Sequence, residues 1–196
     1  MKGTWAMRTS RSIWSTITVL ALAGMTPACG GDDDGNGNGN GGSAVRAKAD
    51  LVGLGSNTGI TGTINFEGKG KLLDVTGDIQ GLAIDSVHGF HIHENGDCSD
   101  PAGMSAGGLW NPTNQTHGRP TSSASHFGDL GNIRTYTGLT TAIVDIEKEG
   151  PTLGSGDQFD PIGRAVILHE NADDEMTDPT GNAGARIACG VITAVP

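Results

Sequence analysis

The sequence contains six histidines, His88, His91, His93, His117, His126 and His169, and two of their spacings suit metal chemistry. His91-Ile92-His93 lies in a short alternating stretch. In a strand, a spacing of two puts both imidazoles on one face, where they can chelate a single ion. His126-Phe127-Gly128-Asp129 sets an imidazole and a carboxylate three residues apart around a glycine. That is a mixed nitrogen and oxygen donor set of the kind zinc accepts, and His117 is near enough in sequence to close onto it. Taken alone, each pattern equally fits a pair of core histidines or a turn capped by an aspartate.

Such side chains need a scaffold, and the composition points to strands. Glycine is abundant, at 33 residues, and aromatic residues make up only 4% of the chain. Residues 45–51 alternate apolar and polar as a half-buried strand does. Further strands are predicted at 59–66, 72–82, 89–93, 131–136, 139–147, 164–169 and 185–193, punctuated by Gly, Asn and Asp. Many short strands in succession predict an all-β sandwich or barrel. Residues 94–130 and 170–184 break the rhythm as two long loops. Loops beyond about 15 residues are uncommon unless functional or disordered, and most candidate ligands lie in these two or on the strand ends beside them.

The N-terminal part reads differently. Lys2, Arg8 and Arg11 form a basic start, and residues 13–24 form a short apolar stretch interrupted by Ser15, Thr16 and Thr18. It is too short and too polar to span a bilayer and fits an export signal. Thr26-Pro27-Ala28-Cys29-Gly30 then resembles the end of a bacterial lipoprotein signal, with Thr26 where such signals usually carry leucine. The resemblance implies cleavage before Cys29 and its lipidation; ordinary secretion with cleavage nearby is the alternative. Residues 30–42 are only Gly, Asp and Asn, a flexible tether with nothing apolar to bury. The predicted organisation is a signal over 1–29, a tether over 30–42 and one domain over 43–196. The net charge is −10, and without the first 29 residues 9 basic side chains face 22 acidic ones, giving −13. Such a surface repels nucleic acid, polyanionic substrates and bare anionic membrane, leaving the lipid at Cys29 as the only membrane attachment.

The constellation as a whole is more specific than its parts. Residues 89–98 (GFHIHENGDC), 105–112 (SAGGLWNP), 125–132 (SHFGDLGN), 163–169 (GRAVILH) and 181–191 (GNAGARIACGV) resemble, in family order, the metal-site segments of copper/zinc superoxide dismutases. The resemblance covers roughly residues 45–194. It implies an immunoglobulin-like Greek-key β-barrel with two long loops over a metal site. It also implies copper ligands at His91, His93 and His169 and zinc ligands at His117, His126 and Asp129. Arg186 then guides the superoxide anion, and Asp173 links ligand histidines of the two sites. Cys98 and Cys189 form a disulfide, which leaves Cys29 for lipid, and His88 is a structural histidine. No particular oligomeric state is implied.

One position departs from the family. The histidine that bridges copper and zinc belongs at the third position of the Gly-Gly-X-Trp-Asn-Pro segment, and here that residue is Leu109. No gap is needed from Pro112 to His126, and no histidine is left over to replace it. Copper then keeps three imidazoles, while zinc keeps two imidazoles and a carboxylate and is weakened. Met104 is a conceivable soft donor but fits loop packing better. The loop over 170–185 contains no Lys or Arg, so long-range attraction of an anion should be weak. The expectation is an extracytoplasmic superoxide dismutase with a three-histidine copper site. The alternative is a non-catalytic copper- and zinc-binding envelope protein, a metal buffer or carrier.

Overall fold

A computed structural model describes residues 44–196; the predicted signal, Cys29 and the 30–42 tether lie outside the described residues. Alternation builds the first half of the domain. In β1 (Arg46–Gly53) Ala47, Ala49 and Leu51 point inward between exposed neighbours. β2 (Thr61–Lys69) buries Ile64 and Phe66, and β3 (Leu72–Gln80) buries Leu73, Val75 and Ile79. β6 (Thr141–Glu149) buries Ala142 and Val144 in the same phase.

The other strands are covered on both faces. β4 (Val87–His93), β7 (Ala165–His169) and β8 (Arg186–Val191) are buried almost throughout. With β5 (Asp129–Arg134) they complete an antiparallel sheet in the order β5-β4-β7-β8-β1-β2-β3-β6. Its end strands, β5 and β6, approach each other without pairing, which leaves a nearly closed barrel with non-sequential, Greek-key neighbours. A short β9 (Thr193–Ala194) adds to β1. The main core fills the interior with Leu51, Ile64, Phe66, Leu73, Phe90 and Leu168 among others. A smaller cluster explains the second covered face: Leu54 and the loop residue Ala106 pack on Ala165, Ile167 and Cys189.

The all-β barrel with two long loops is as predicted. Every predicted strand is present, with ends shifted by no more than three residues. The region read as 139–147 runs over Thr141–Glu149, which brings Lys148 into the strand. Met104 opens a single 3-10 turn, Met104–Ala106, and is 64% exposed, so the expectation that it packs the loop is not met. Asp100 sets this turn by accepting from the Met104 amide at 3.0 Å, which leaves the thioether in solvent.

Cys98 and Cys189 are joined, with Cα atoms 5.8 Å apart and a sequence separation of 91. The bridge fastens the loop after β4 onto β8. Closing so long a loop removes much of the freedom of the unfolded chain, and loss of a native disulfide costs about 2–5 kcal/mol. Reductant is therefore expected to lower the denaturant midpoint of the protein by that equivalent, and a midpoint indifferent to reductant would show that the bridge does not hold the fold.

Candidate metal centre

His91 and His93 share one face of β4, and pairing of β4 with β7 sets them opposite Ile167 and Ala165. His169 ends β7 at an irregularity against β8. All three rings are buried. Their hydrogen bonds decide which nitrogen carries the proton. Nδ1 of His93 lies 3.0 Å from the Gly107 carbonyl, and Nδ1 of His169 lies 3.3 Å from the Gly184 carbonyl. Carbonyls only accept, so both Nδ1 atoms are protonated and both Nε2 atoms carry lone pairs. These two Nε2 atoms face each other at 3.3 Å. His91 is oriented the other way round: its Nε2 meets Asp173 Oδ2 at 2.8 Å, and its Nδ1 is buried without a partner.

Three lone pairs thus converge in the interior. A shared proton between His93 and His169 does not resolve the arrangement, because both of these rings resist protonation. Burial, then His91, pushes His169 down to about 3, and burial, Arg186 and the neighbouring rings hold His93 well below its ordinary range. A cation does resolve it. Nitrogen–metal bonds of 2.0–2.1 Å at tetrahedral angles place donors about 3.4 Å apart, close to the observed separation.

The second cluster has the same character. Asp129 opens β5, and its Oδ2 accepts from the amides of His126 at 2.8 Å and Gly118 at 3.1 Å. Its Oδ1 stands 2.9 Å from His117 Nδ1 and 3.3 Å from His126 Nδ1. None of these three atoms has a hydrogen-bond partner although all are buried. Two imidazole nitrogens and one carboxylate oxygen therefore form a three-donor set for a divalent ion. Without metal, burial opposes a charge on His117, but Asp129 and Asp173 outweigh it and raise the ring to about 10. Asp129 goes the other way, to about 2: burial raises it, and His117 and His126 overcome that.

Asp173 joins the clusters. Its Oδ1 accepts from His117 Nε2 and its Oδ2 from His91 Nε2, each at 2.8 Å. His91, His117 and Asp173 are grouped closely enough to suggest a third metal site, but both oxygens already serve ring N–H groups. Asn132 exchanges two bonds with the Asp173 backbone, at 2.8 and 2.9 Å, and so sets the carboxylate from β5. Gly181 must be glycine: at φ 60° a Cβ would lie 1.7 Å from Asp173 Oδ1.

Arg186 and Leu109 flank the first cluster. The Arg186 guanidinium donates to the carbonyls of Gly103 at 2.5 Å and Gly107 at 2.6 Å. Gly107 O also receives His93 Nδ1, so one carbonyl positions both the cation and a ring. Leu109 is 5% exposed and forms an isolated antiparallel bridge with His93. His88 braces the site from behind, bonding the His169 carbonyl through Nδ1 at 2.8 Å. Sequence reasoning assigned no role to Asn132 or Lys148. Lys148 is 3% exposed, and its Nζ donates to Pro120 O at 3.1 Å and Ser125 Oγ at 2.8 Å, clamping the loop just before His126 onto β6. Its inward phase in the alternation of β6 was the available signal.

Comparison with known proteins agrees with this architecture. The copper/zinc superoxide dismutase family profile matches residues 60–192. The extracellular Cu-Zn superoxide dismutase of Caenorhabditis elegans is 42% identical over 144 residues, which are 70% of this chain and 63% of that protein. Cu-Zn superoxide dismutase 4 of Dictyostelium discoideum is 43% identical over 143 residues, 69% of this chain and 92% of that one. Among solved structures, the crystal structure of the clock protein EA4 superposes with a TM-score of 0.67 at 38% identity, covering 76% of this chain and 94% of that one. The chain belongs to the copper/zinc superoxide dismutase family. Copper and zinc are the metals of that family, and both histidine clusters present donor sets that fit a metal ion.

The titration shifts predict a stability maximum for the metal-free protein. His169 binds a proton near pH 6.5 unfolded but near 3 folded, so stability falls as pH drops through that window. His117, raised to about 10, contributes fully below 6.5, and its contribution is lost as pH climbs toward 10. Denaturant midpoints are expected to peak near pH 6.5, and His117→Gln should flatten the alkaline limb; an unchanged limb in that variant would assign the slope to another group.

Proposed function

We propose that this protein is an exported superoxide dismutase-like oxidoreductase with copper held by His91, His93 and His169 and zinc by His117, His126 and Asp129. The observation that carries the reading is the convergence of three buried imidazole nitrogens beside Arg186. Copper there supplies the one-electron exchange by which two superoxide anions and two protons become oxygen and hydrogen peroxide. The chain's own groups bind and orient. Arg186, pinned by two carbonyls, presents a fixed positive charge to the anion. Asp173, Gly107 and Gly184 hold the rings with their lone pairs aimed at one point. Leu109 can neither donate nor accept a proton, so both protons must come from water.

The loop over 170–185 adds no lysine or arginine, and Arg119 of the other loop is paired to Glu175 at 2.9 Å. Arg186 therefore does most of the steering. Export is supported by the basic and apolar start of the chain, by the Cys98–Cys189 disulfide and by likeness to an extracellular relative. Within this reading Cys29 is the lipid-bearing first residue of the mature protein, anchored to a bacterial membrane by the 30–42 tether.

Leu109 also favours a second reading, a copper- and zinc-binding envelope protein without relevant turnover. Stopped-flow superoxide decay separates the two. The copper- and zinc-loaded protein is expected to outpace free copper, to lose about tenfold or more with Arg186→Ala, and to depend only shallowly on salt. An inactive native protein with activity appearing in Leu109→His would establish the second reading instead. The anchor is tested separately: expressed in a bacterium, native protein is expected in the membrane fraction and Cys29→Ser in the soluble fraction, and identical partitioning would remove the lipid assignment.

A further inference from the structure

Leu109 does more than leave a donor missing. In an antiparallel bridge, directly opposed side chains project from the same side, so Leu109 stands on the face that carries His93 and, two residues away, His91. The register is fixed on both sides. Glu94 N donates to Gly108 O at 3.0 Å, Gly108 N donates to Glu94 Oε2 at 3.2 Å, and Trp110 N donates to Ile92 O at 3.0 Å. A one-residue slip that would bring another side chain to this point breaks all of these bonds. Among the described residues every other buried leucine belongs to one of the two apolar clusters, and Leu109 belongs to neither. It is an apolar side chain set against imidazoles.

The donor count follows. His91, His93 and His169 supply three imidazole nitrogens. The nearby carboxylate, Asp173, is turned away from the donor atoms and already holds two ring N–H groups. Cys98 and Cys189 are consumed in their disulfide. A buried leucine offers an incoming water none of the two to four polar partners it needs. Copper(II) favours tetragonal sites of four or more nitrogen and oxygen donors, whereas closed-shell copper(I) has no such demand and is content with three. Charge acts in the same direction: no anionic ligand is present, the Arg186 cation is adjacent, and burial penalises the second positive charge.

We infer that Leu109 makes the His91–His93–His169 centre selective for copper(I) over copper(II). The inference rests on these three histidines being the copper ligands, as proposed above, and its test reads affinity rather than turnover. Copper(I) binding is measured anaerobically by competition with bicinchoninate, and copper(II) binding by competition with nitrilotriacetate. The zinc-saturated protein is used, with His169→Ala giving the background from other sites. Outer-shell changes alone cost 10–100-fold in metal affinity, so restoring a ligand with Leu109→His is expected to strengthen copper(II) binding by about 100-fold while moving copper(I) by less than about tenfold. Each tenfold of divergence appears as a fall of about 59 mV in the one-electron midpoint potential of the variant relative to native. Leu109→Asn, which supplies an oxygen donor in nearly the same volume, serves the same purpose if the histidine variant does not fold. Equal movement of both valences, or of neither, overturns the inference. Copper captured at neither valence above the His169→Ala background overturns the ligand assignment together with it. A copper(I) preference in a protein that fails to dismutate superoxide upholds the inference and sinks only the activity.

Discussion

The buried carboxylate of Asp173 is the interaction on which the rest of the centre depends. A lone carboxylate in the interior is expensive and persists only when its oxygens are fully engaged. Here His91 and His117 each donate a ring N–H to it, and the Glu175 amide adds a third bond at 2.6 Å. Burial alone would raise its pKa; these partners hold it well below the ordinary carboxylate range. Because each donor ring is committed at Nε2, each must present Nδ1 to its own cluster. One charge thereby fixes a tautomer in both clusters, and it draws the loop after β7 onto the loop after β4.

The same logic recurs with backbone groups. Gly107 and Gly184 carbonyls fix His93 and His169 at Nδ1, and the Asp129 Oδ2 atom is held by two amides so that Oδ1 is left to the interior. Lys148 extends the support outward. It sits where the alternation of β6 calls for an apolar side chain, and burial lowers its pKa while Asp129 offsets part of that. Its bonds to Pro120 and Ser125 fasten the stretch that delivers His126. Both clusters are therefore built by the barrel and its loops.

Much of this was legible in the sequence, for definable reasons. Strands with one wet face announce themselves by alternation, as in Ala47-Lys48-Ala49-Asp50-Leu51, and the H-x-H of β4 needs only a period of two to put its rings together. Strand ends were less legible: the strand read over 139–147 stopped short of Lys148, which the structure includes and turns inward. Asn132 sat inside a segment whose resemblance was noted, yet its role depends on contact with the backbone of Asp173 across 41 residues, which no local pattern encodes. Carbonyl partners such as Gly107 O carry no side-chain signature at all. The ring tautomers, and with them the direction of every lone pair, became readable only in three dimensions.

The aim of the rings does not depend on the side chain at position 109. Four of the five rings are aimed by a partner on the far side, His91 and His117 by Asp173, His93 by Gly107 and His169 by Gly184, and none of those bonds involves Leu109. The leucine stays in register through the backbone of Gly108 and Trp110, and its bulk fills its place beside the imidazoles. In the proposed reading a leucine here acts on what the clusters hold and how they exchange charge, and the bonds that aim those four rings do not run through its side chain. The two clusters remain connected, but through the hydrogen bonds of one carboxylate, a link that conveys orientation between them and provides no shared ligand.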